Sequence, residues 1–552
     1  MATAYKTPLD MLYQWEKTEA NRVYLRQPVD GQWTEYTWAQ FADQVRRMAS
    51  ALKGLGIEKG DRVAIMSKNC AHWFMADMAI MMVGGVSVPI YQNQQGEITN
   101  YVLTHSETKA VFIGKLDDTK ALEGAIPEQV ITIGLPYKDG MKNPNHQWDD
   151  LVKAHSPLKG FPTANIDDLL TIIYTSGTTG YPKGVVHTYR AACFAAGSGV
   201  KILDIGKKDS FLSFLPLSHV AERFMVEYIS LYGCTQISFV ESLETFAQNI
   251  QDVQPTIFFA VPRLWVKFQM GILEKLPEKK LSLLLKLPVI SGLIKNKVKK
   301  GLGLGRARVI ISGAAPLAVP VMDWFDRLDI KIHEGYGLTE NFAYGLFNLP
   351  GHRVKGTVGI NMREGNVKIS EEGEILFKSE ALMQGYYKEP EKTAEVFTED
   401  GFLRTGDRGV VDGDGFYRIT GRVKEIFKTA KGKYVAPAPI ESMLSENSDI
   451  EQMCVMGTGM PSPVALVVPS DVARTKEKAH LTKELELTLK KVNQRLESHE
   501  KMSKVFVVAE PWTIEDGMMT PTFKIKRHLI EKKYQPFVDK CYGEKSSVVW
   551  EG

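Results

Sequence analysis

Tyr174-Thr175-Ser176-Gly177-Thr178-Thr179-Gly180-Tyr181-Pro182-Lys183-Gly184 follows directly on the short apolar run Leu169-Leu170-Thr171-Ile172-Ile173. The run is short and stops at turn-forming residues, so it reads as a buried strand opening into a loop. The loop offers small residues, hydroxyl side chains, backbone N–H groups and one lysine, Lys183. A mobile polyphosphate needs that set of groups around it. The spacing does not fit G-x-x-x-x-G-K-[ST], so this is not a Walker A loop. A second run, Arg308 to Ile311, opens in the same way into Ser312-Gly313-Ala314-Ala315-Pro316. Ligands of open α/β sheets gather at the carboxyl ends of strands, which makes both loops candidate binding loops.

The pattern upstream supports such a sheet. Thr37 and Gln40 have capping-box spacing. Phe41, Val45, Met48 and Leu52 then recur at helical spacing until Gly54 and Gly56. Arg62 to Met66 reads as a strand, Met75 to Val83 as helix, and Val86 to Ile90 as a further strand. Helix and strand alternating in this way predict α/β layers on a mostly parallel sheet. From about Gly356 the texture changes to short strands such as Glu374-Ile375-Leu376-Phe377 between Gly-rich turns such as Asp412-Gly413-Asp414-Gly415, which predicts a β-rich subdomain. The last stretch mixes helix and strand again. The expected architecture is therefore α/β, with a large N-terminal domain of α/β layers plus a β-rich subdomain over 1–423. A small mobile C-terminal α/β domain over 424–552 completes it. Internal repeats and low-complexity segments are absent from the sequence.

Composition narrows the function classes. Lys and Arg number 68 against 65 Asp and Glu, a formal charge of +3 that gives no argument for nucleic acid as a partner. Cys70, Cys193, Cys234, Cys454 and Cys541 are scattered and form no CxxC pair, so neither a disulfide framework nor a zinc site is expected. The N-terminal residues lack the apolar core of a signal peptide, and no apolar run is long enough to span a bilayer. A cytoplasmic protein is the expectation, with the inner face of a membrane as a peripheral site.

Four further motifs stand in order after the first loop. They are Gly335-Tyr336-Gly337-Leu338-Thr339-Glu340, Thr405-Gly406-Asp407, Gly421-Arg422-Val423-Lys424-Glu425 and Thr520-Pro521-Thr522-Phe523-Lys524-Ile525-Lys526-Arg527. Together the five resemble the motifs of the adenylate-forming, AMP-binding superfamily of acyl-CoA synthetases, luciferases and peptide-synthetase adenylation domains. The resemblance spans nearly the whole chain. It implies that ATP phosphates lie on Thr175, Ser176, Gly177, Thr178, Thr179, Gly180 and Lys183. Adenine would lie against Gly313, Ala314 and Ala315, with Glu334, Gly335, Tyr336, Gly337, Leu338 and Thr339 completing that side. Tyr336 can stack on the base, and the small turn lets backbone approach it. Asp407 is implied to accept hydrogen bonds from the ribose hydroxyls, an acceptor-only role that suits a carboxylate. Arg422 is implied to reach ribose or α-phosphate. Thr175 and Glu340 are the implied Mg2+ ligands, a set small enough for a cation held mostly by phosphate and water.

For catalysis the resemblance singles out Lys524. Attack of a carboxylate on the α-phosphate crowds negative charge, and an ammonium bridging both groups stabilises and aligns them. Many family members carry glycine where this chain has Phe523; the bulkier residue resembles the long-chain branch. Lys424 stands at the implied hinge. Rotation there would withdraw Lys524 and bring the loop Lys431-Gly432-Lys433 to the site for the CoA half-reaction.

Leu215-Pro216-Leu217-Ser218-His219-Val220-Ala221-Glu222-Arg223 and Val261-Pro262-Arg263-Leu264-Trp265 also resemble the long-chain fatty acyl-CoA synthetases. His219 is implied to line the acyl or adenylate pocket. No Asp stands where amino-acid-activating members pair the α-amino group. The expected reaction is fatty acid, ATP and CoA to acyl-CoA, AMP and pyrophosphate. Alternatives are an acyl-AMP ligase that loads a carrier protein, a CoA ligase for an aryl or shorter acid, and a nucleotide-binding protein with a dead site. No Walker or protein-kinase signature supports phosphoryl transfer. Residues 275–308 are rich in Leu and Lys and read equally as a solvated helical cap or as a peripheral membrane contact. The oligomeric state stays open, with a homodimer one candidate.

Overall fold

The computed structural model describes residues 5–119, 122–175, 181–362, 365–520 and 524–551. The run that opens into the first loop is the strand Leu169–Thr175. It turns back as Lys183–Thr188, antiparallel, with Thr175 opposite Lys183. On its other edge lies Val86–Ile90, in parallel. The sheet continues in parallel through Arg62–Met66, Thr108–Ile113, Ile131–Gly134 and His146–Gln147. Gly385–Tyr386 closes the far edge, antiparallel to Lys183–Thr188.

The helix Trp38–Gly54 begins on the expected capping box. Gln40 N–H donates to Thr37 Oγ1 at 3.3 Å, and Thr37 N–H donates to the Gln40 side chain at 2.8 Å. Phe41, Val45, Met48 and Leu52 are all buried, each worth roughly 1.5–3 kcal/mol of apolar burial where the side chain is large. Gly56, at φ +80°, takes the left-handed position past the helix end. The following helix runs Ala71–Met82, starting before the expected Met75. All its residues are buried, so no polar face marks its start in the sequence.

A second sheet has nine strands. Ile332–Tyr336, Val309–Ser312, Ile257–Ala260, Ser210–Ser213, Gln236–Phe239 and Val23–Val29 lie side by side in parallel, with antiparallel strands at both edges. Between the sheets runs a π-helical turn, Arg223–Tyr228. Arg223 is fully buried and donates to Asp77 at 2.6 Å, Thr171 at 2.8 Å, Tyr228 at 2.9 Å and Glu227 at 3.0 Å. Burial and the Asp77 charge push the Glu227 carboxyl up. This cluster ties the first sheet, the helix Ala71–Met82 and the segment after Ser210–Ser213 together.

The expected β-rich subdomain is a four-stranded antiparallel sheet of Asn366–Ile369, Glu374–Lys378, Leu403–Val411 and Tyr417–Arg422. Lys424 follows in an exposed turn. The C-terminal part has its own four-stranded mixed sheet, Ile450–Met456, Val464–Pro469, Lys504–Val507 and Val548–Trp550. One face packs Val467 and Val505 against Leu485 and Leu489 of the helix Lys478–Asn493. The other packs Leu466 and Phe506 against Ile530 and Tyr534 of the helix Arg527–Cys541. The α/β class with a large N-terminal and a smaller C-terminal part is thus what the chain adopts. Among the described residues no helix is long and apolar enough to cross a membrane.

Candidate active site

The strands ending at Thr175, Ser312 and Tyr336 lead into most of the candidate residues of the N-terminal part. Thr175 ends its strand opposite Lys183; Ser176, Gly177, Thr178, Thr179 and Gly180 lie outside the described residues. The Lys183 ammonium stands over the ring of Tyr386, 4.6 Å from its centroid. The Tyr386 hydroxyl donates to Glu340 Oε1 at 2.9 Å. Burial, then the Glu340 charge, hold that hydroxyl above its ordinary range. Tyr386 thereby joins Lys183 to Glu340. Sequence patterns miss it, because Gln384-Gly385-Tyr386-Tyr387 matches none of the motifs.

The strand Ile332–Tyr336 ends in the tight Gly-rich turn. A Cβ on Gly337 would stand 2.5 Å from the Ala343 backbone, so only glycine fits there. A Cβ on Gly313 would stand 3.2 Å from Phe259 and 3.3 Å from the Gly335 carbonyl. The Gly313-Ala314-Ala315 turn therefore abuts the Tyr336 turn, and Ala314 is left-handed at φ +66°. The Glu334 side chain accepts from Leu317 N–H at 3.0 Å, and burial lifts its carboxyl to about 7. Leu338 N–H donates to Asn341 at 2.7 Å, and the Thr339 carbonyl accepts from His187 Nε2 at 2.7 Å.

Asp407 and Arg422 face each other across the antiparallel pair of the β-rich sheet. Arg422 Nε donates to Asp407 Oδ1 at 2.8 Å, and the Tyr336 hydroxyl donates to Oδ2 at 2.5 Å. Burial and the Asp407 charge hold the Tyr336 hydroxyl well above its ordinary range. Each carboxylate oxygen still has a second lone pair for a further donor.

Lys524 joins this group from the C-terminal part. Its turn is closed by Thr520 N–H donating to the Lys524 carbonyl at 2.8 Å and Lys524 N–H donating to Thr520 Oγ1 at 3.1 Å. Arg527 anchors the turn through Glu441 at 2.7 and 2.9 Å and the Val455 carbonyl at 2.8 Å. Surrounding protein, then the Arg422 guanidinium, lower the Lys524 ammonium below its ordinary range against the pull of Asp407, Glu340 and Glu425. The side chain is exposed by area, so water screens that depression. Burial and the Lys524 charge lower His219 to about 4, which keeps its ring neutral. His219 Nδ1 accepts from Ala221 N–H at 3.1 Å, which leaves the proton on Nε2. Glu222, beside it, is buried and accepts from Ser213, Phe214 and Asn69 at 2.8, 3.1 and 3.3 Å.

Lys424 and Gly432 are not in this group. Lys424 is exposed, and Gly432, at φ +78°, lies in the exposed loop between Phe427–Lys428 and Tyr434–Val435.

Comparison with known proteins fits this arrangement. The profile of the AMP-binding enzymes matches residues 12–387, and that of the AMP-binding enzyme C-terminal domain matches residues 425–546. The chain belongs to the AMP-binding enzyme family. Among similar proteins, the long-chain-fatty-acid–CoA ligase FadD15 of Mycobacterium tuberculosis is 29% identical, over 97% of this chain and 96% of that protein. The peroxisomal long chain acyl-CoA synthetase 7 of Arabidopsis thaliana is 30% identical, over 96% of this chain and 85% of that protein. Among solved structures, the adenylation domain of a carboxylate reductase from Mycobacterium chelonae superposes with a TM-score of 0.82 at 22% identity, covering 98% and 91% of the two chains. The anthranilate CoA ligase AuaEII, solved with anthranoyl-AMP, gives 0.80 at 21% identity, covering 97% and 98%. These two likenesses show that this AMP-binding enzyme shares their fold.

Proposed function

We propose that this AMP-binding enzyme is a long-chain fatty acid–CoA ligase. It joins a fatty acid to ATP as an acyl-adenylate with release of pyrophosphate, then passes the acyl group to the CoA thiol with release of AMP. The observation that carries the reading is Lys524, delivered by the C-terminal part to a site whose other members, Glu340, Asp407 and Arg422, belong to the N-terminal part. The curated relatives named long-chain ligases, matched over nearly the whole chain, support the substrate class.

In this reading Lys183 and the loop from Thr175 to Gly180 hold the phosphates. Tyr336 stacks on adenine beside Gly313, Ala314 and Ala315, and its hydroxyl is fixed by Asp407. Asp407 takes the ribose hydroxyls, and Arg422 offers its outer N–H groups to the α-phosphate. The Lys524 ammonium holds the fatty-acid carboxylate against the α-phosphate and offsets the charge that gathers as they join. Neutral His219 borders the acyl side with an Nε2–H donor. Glu340, one oxygen engaged by Tyr386, and the Thr175 hydroxyl are hard oxygen donors that fit magnesium. Among the described residues no cluster of three metal-ligating side chains would hold it without phosphate. Magnesium, bound with ATP, would supply charge neutralisation on the phosphates. The hinge lies at Lys424, between domains 1–423 and 424–552, and the Gly432 loop serves the CoA half-reaction.

The test is pyrophosphate and AMP release with palmitate, octanoate, benzoate and amino acids, each with and without CoA. AMP and a CoA thioester formed only with the long acyl chain are expected. Pyrophosphate without thioester would move the reading to carrier-protein loading, and release only with benzoate or an amino acid would overturn the substrate class.

A further inference from the structure

Residues 275–308 fold into two helices, Glu278–Leu285 and Pro288–Gly301, after the helix Pro262–Lys275. Their inner side is accounted for. Leu281 is buried in the cluster that holds Phe258 and Trp265, and Leu285, Ile294 and Val298 pack against it. An ordinary surface hairpin would show a polar outer side. This one does not. Leu283, Leu287, Val289, Ile290 and Leu293 are 62%, 43%, 79%, 39% and 66% exposed, five large apolar side chains within one short stretch around the turn.

The charge around this tip has one sign. Lys279, Lys280, Lys295, Lys297, Lys299 and Lys300 stand on the two helices and Lys286 in the turn between them, and no Asp or Glu occurs from Lys279 until Asp323. The single carboxylate of the pair, Glu278, is turned to the body of the protein, where it accepts from Ser282 at 2.7 Å, Arg327 at 2.8 Å and Trp324 at 3.0 Å. Of the lysines, Lys295 pairs with Asp329 at 3.2 Å.

Apolar side chains at a tip, flanked by lysines with flexible apolar stems, match the interface of an anionic bilayer. The apolar groups enter the acyl boundary and the ammonium groups stay with the headgroups. A second copy of the chain is a poorer occupant, because a two-fold contact would bring the same lysines face to face. We propose that the hairpin tip, Leu283 to Leu293 with its flanking lysines, docks this enzyme onto an anionic lipid surface. The inference goes beyond the assignment of a fatty-acid substrate and does not depend on it.

The test is co-sedimentation of the purified full-length protein with vesicles of phosphatidylcholine alone and of equal parts phosphatidylcholine and phosphatidylglycerol. The parent protein is expected to pellet with the mixed vesicles only, and less at high salt. A Val289→Ser, Ile290→Ser, Leu293→Ser variant is expected to stay in the supernatant. A Lys279→Gln, Lys280→Gln, Lys286→Gln variant should bind roughly a hundredfold more weakly, at about fivefold per lysine. All replaced side chains are exposed, and thermal melting equal to the parent's checks that both variants fold. A parent protein that stays in the supernatant with mixed vesicles overturns the proposal. So does a serine variant that pellets like the parent. A parent dimer that the serine variant disperses, without vesicle binding, would assign the tip to self-association instead.

Discussion

Tyr386 connects two groups that sequence motifs treat as separate. Its ring lies under the Lys183 ammonium and its hydroxyl donates to Glu340. Removing the hydroxyl leaves the ring in place and frees Glu340 to turn. Tyr386→Phe is therefore expected to raise the magnesium concentration needed for half-maximal adenylation several-fold, with the rate recovering at saturating magnesium. A magnesium titration at fixed ATP checks this, and an unchanged requirement would make Tyr386 a packing residue only. Lys524 belongs to another class, since its ammonium is assigned to charge that builds in the transition state. Lys524→Ala is expected to slow pyrophosphate release by about 10²–10³-fold, as the loss of one preorganised charge partner does. Thioester formation from supplied acyl-adenylate and CoA should change little. Equal losses in both half-reactions would remove Lys524 from the adenylation step. Glu222 carries a stability effect rather than a rate effect. Burial lifts its carboxyl from 4.5 to about 8, against the hydrogen bonds from Ser213 and Phe214. The folded protein thus holds the proton more tightly than the unfolded chain, and the associated stability is full below 4.5 and lost as pH rises toward 8. Glu222→Gln keeps an acceptor oxygen and removes the titration. Its melting temperature should fall less than the parent's across that window.

The π-helical turn Arg223–Tyr228 shows what a single element demands of distant residues. Its arginine is satisfied only because Asp77, from the helix Ala71–Met82, and Thr171, from the strand beside the first loop, converge on it. Taking away one partner of a buried ion pair leaves an uncompensated charge. Asp77→Ala is expected to destabilise the N-terminal part by roughly 3 kcal/mol, read as a lower urea midpoint of its unfolding transition. A midpoint within error of the parent's would mean that Glu227 and Tyr228 suffice for Arg223. The same element marks where sequence reading stops. The capping box of Thr37 and Gln40, the helix it starts and the strand ending at Thr175 are local patterns with fixed spacing, so they are legible. The pairing of Asp77 with Arg223 crosses 146 residues and that of Tyr386 with Glu340 crosses 46. No periodicity joins such positions, so only the fold reveals them. Ala71–Met82 loses its start for a related reason, because a helix buried all round has no polar phase to read. Asp407 and Arg422 fall between these cases: each stands in a motif, while their facing register comes from strand pairing.

Across the whole molecule, the C-terminal part carries its own cores and, among the described residues, touches the rest through few polar links. Gln95 Nε2 donates to the Ile514 carbonyl at 3.3 Å, Arg263 pairs with Glu451, and the Lys524 ammonium feels the charges of Arg422, Asp407 and Glu340. Exposed pairs of this kind contribute about 0–1 kcal/mol each. An arrangement held so lightly can be left at small cost, as a reaction with two half-reactions requires if Lys524 must withdraw before the CoA thiol arrives. In the division proposed at Lys424, the two parts are joined through an exposed turn, closed by Glu425 N–H donating to the Arg422 carbonyl at 3.2 Å. A rotation about it has to be absorbed by the backbone torsions of a few residues. Proline at the third position of such a turn pushes the residue before it, Val423, out of the turn conformation, so Lys424→Pro bars the turn seen here. If the turn seen here is the one used for adenylation, this variant is expected to lose pyrophosphate release by at least ~10²-fold, a loss of roughly 2.7 kcal/mol in transition-state terms, and to form thioester from supplied acyl-adenylate at close to the parent rate. Single-turnover measurement of the two steps, with acyl-adenylate supplied for the second, separates them. Loss of thioester formation with adenylation intact would place the adenylating arrangement in another rotation, and equal activity in both would move the hinge away from Lys424.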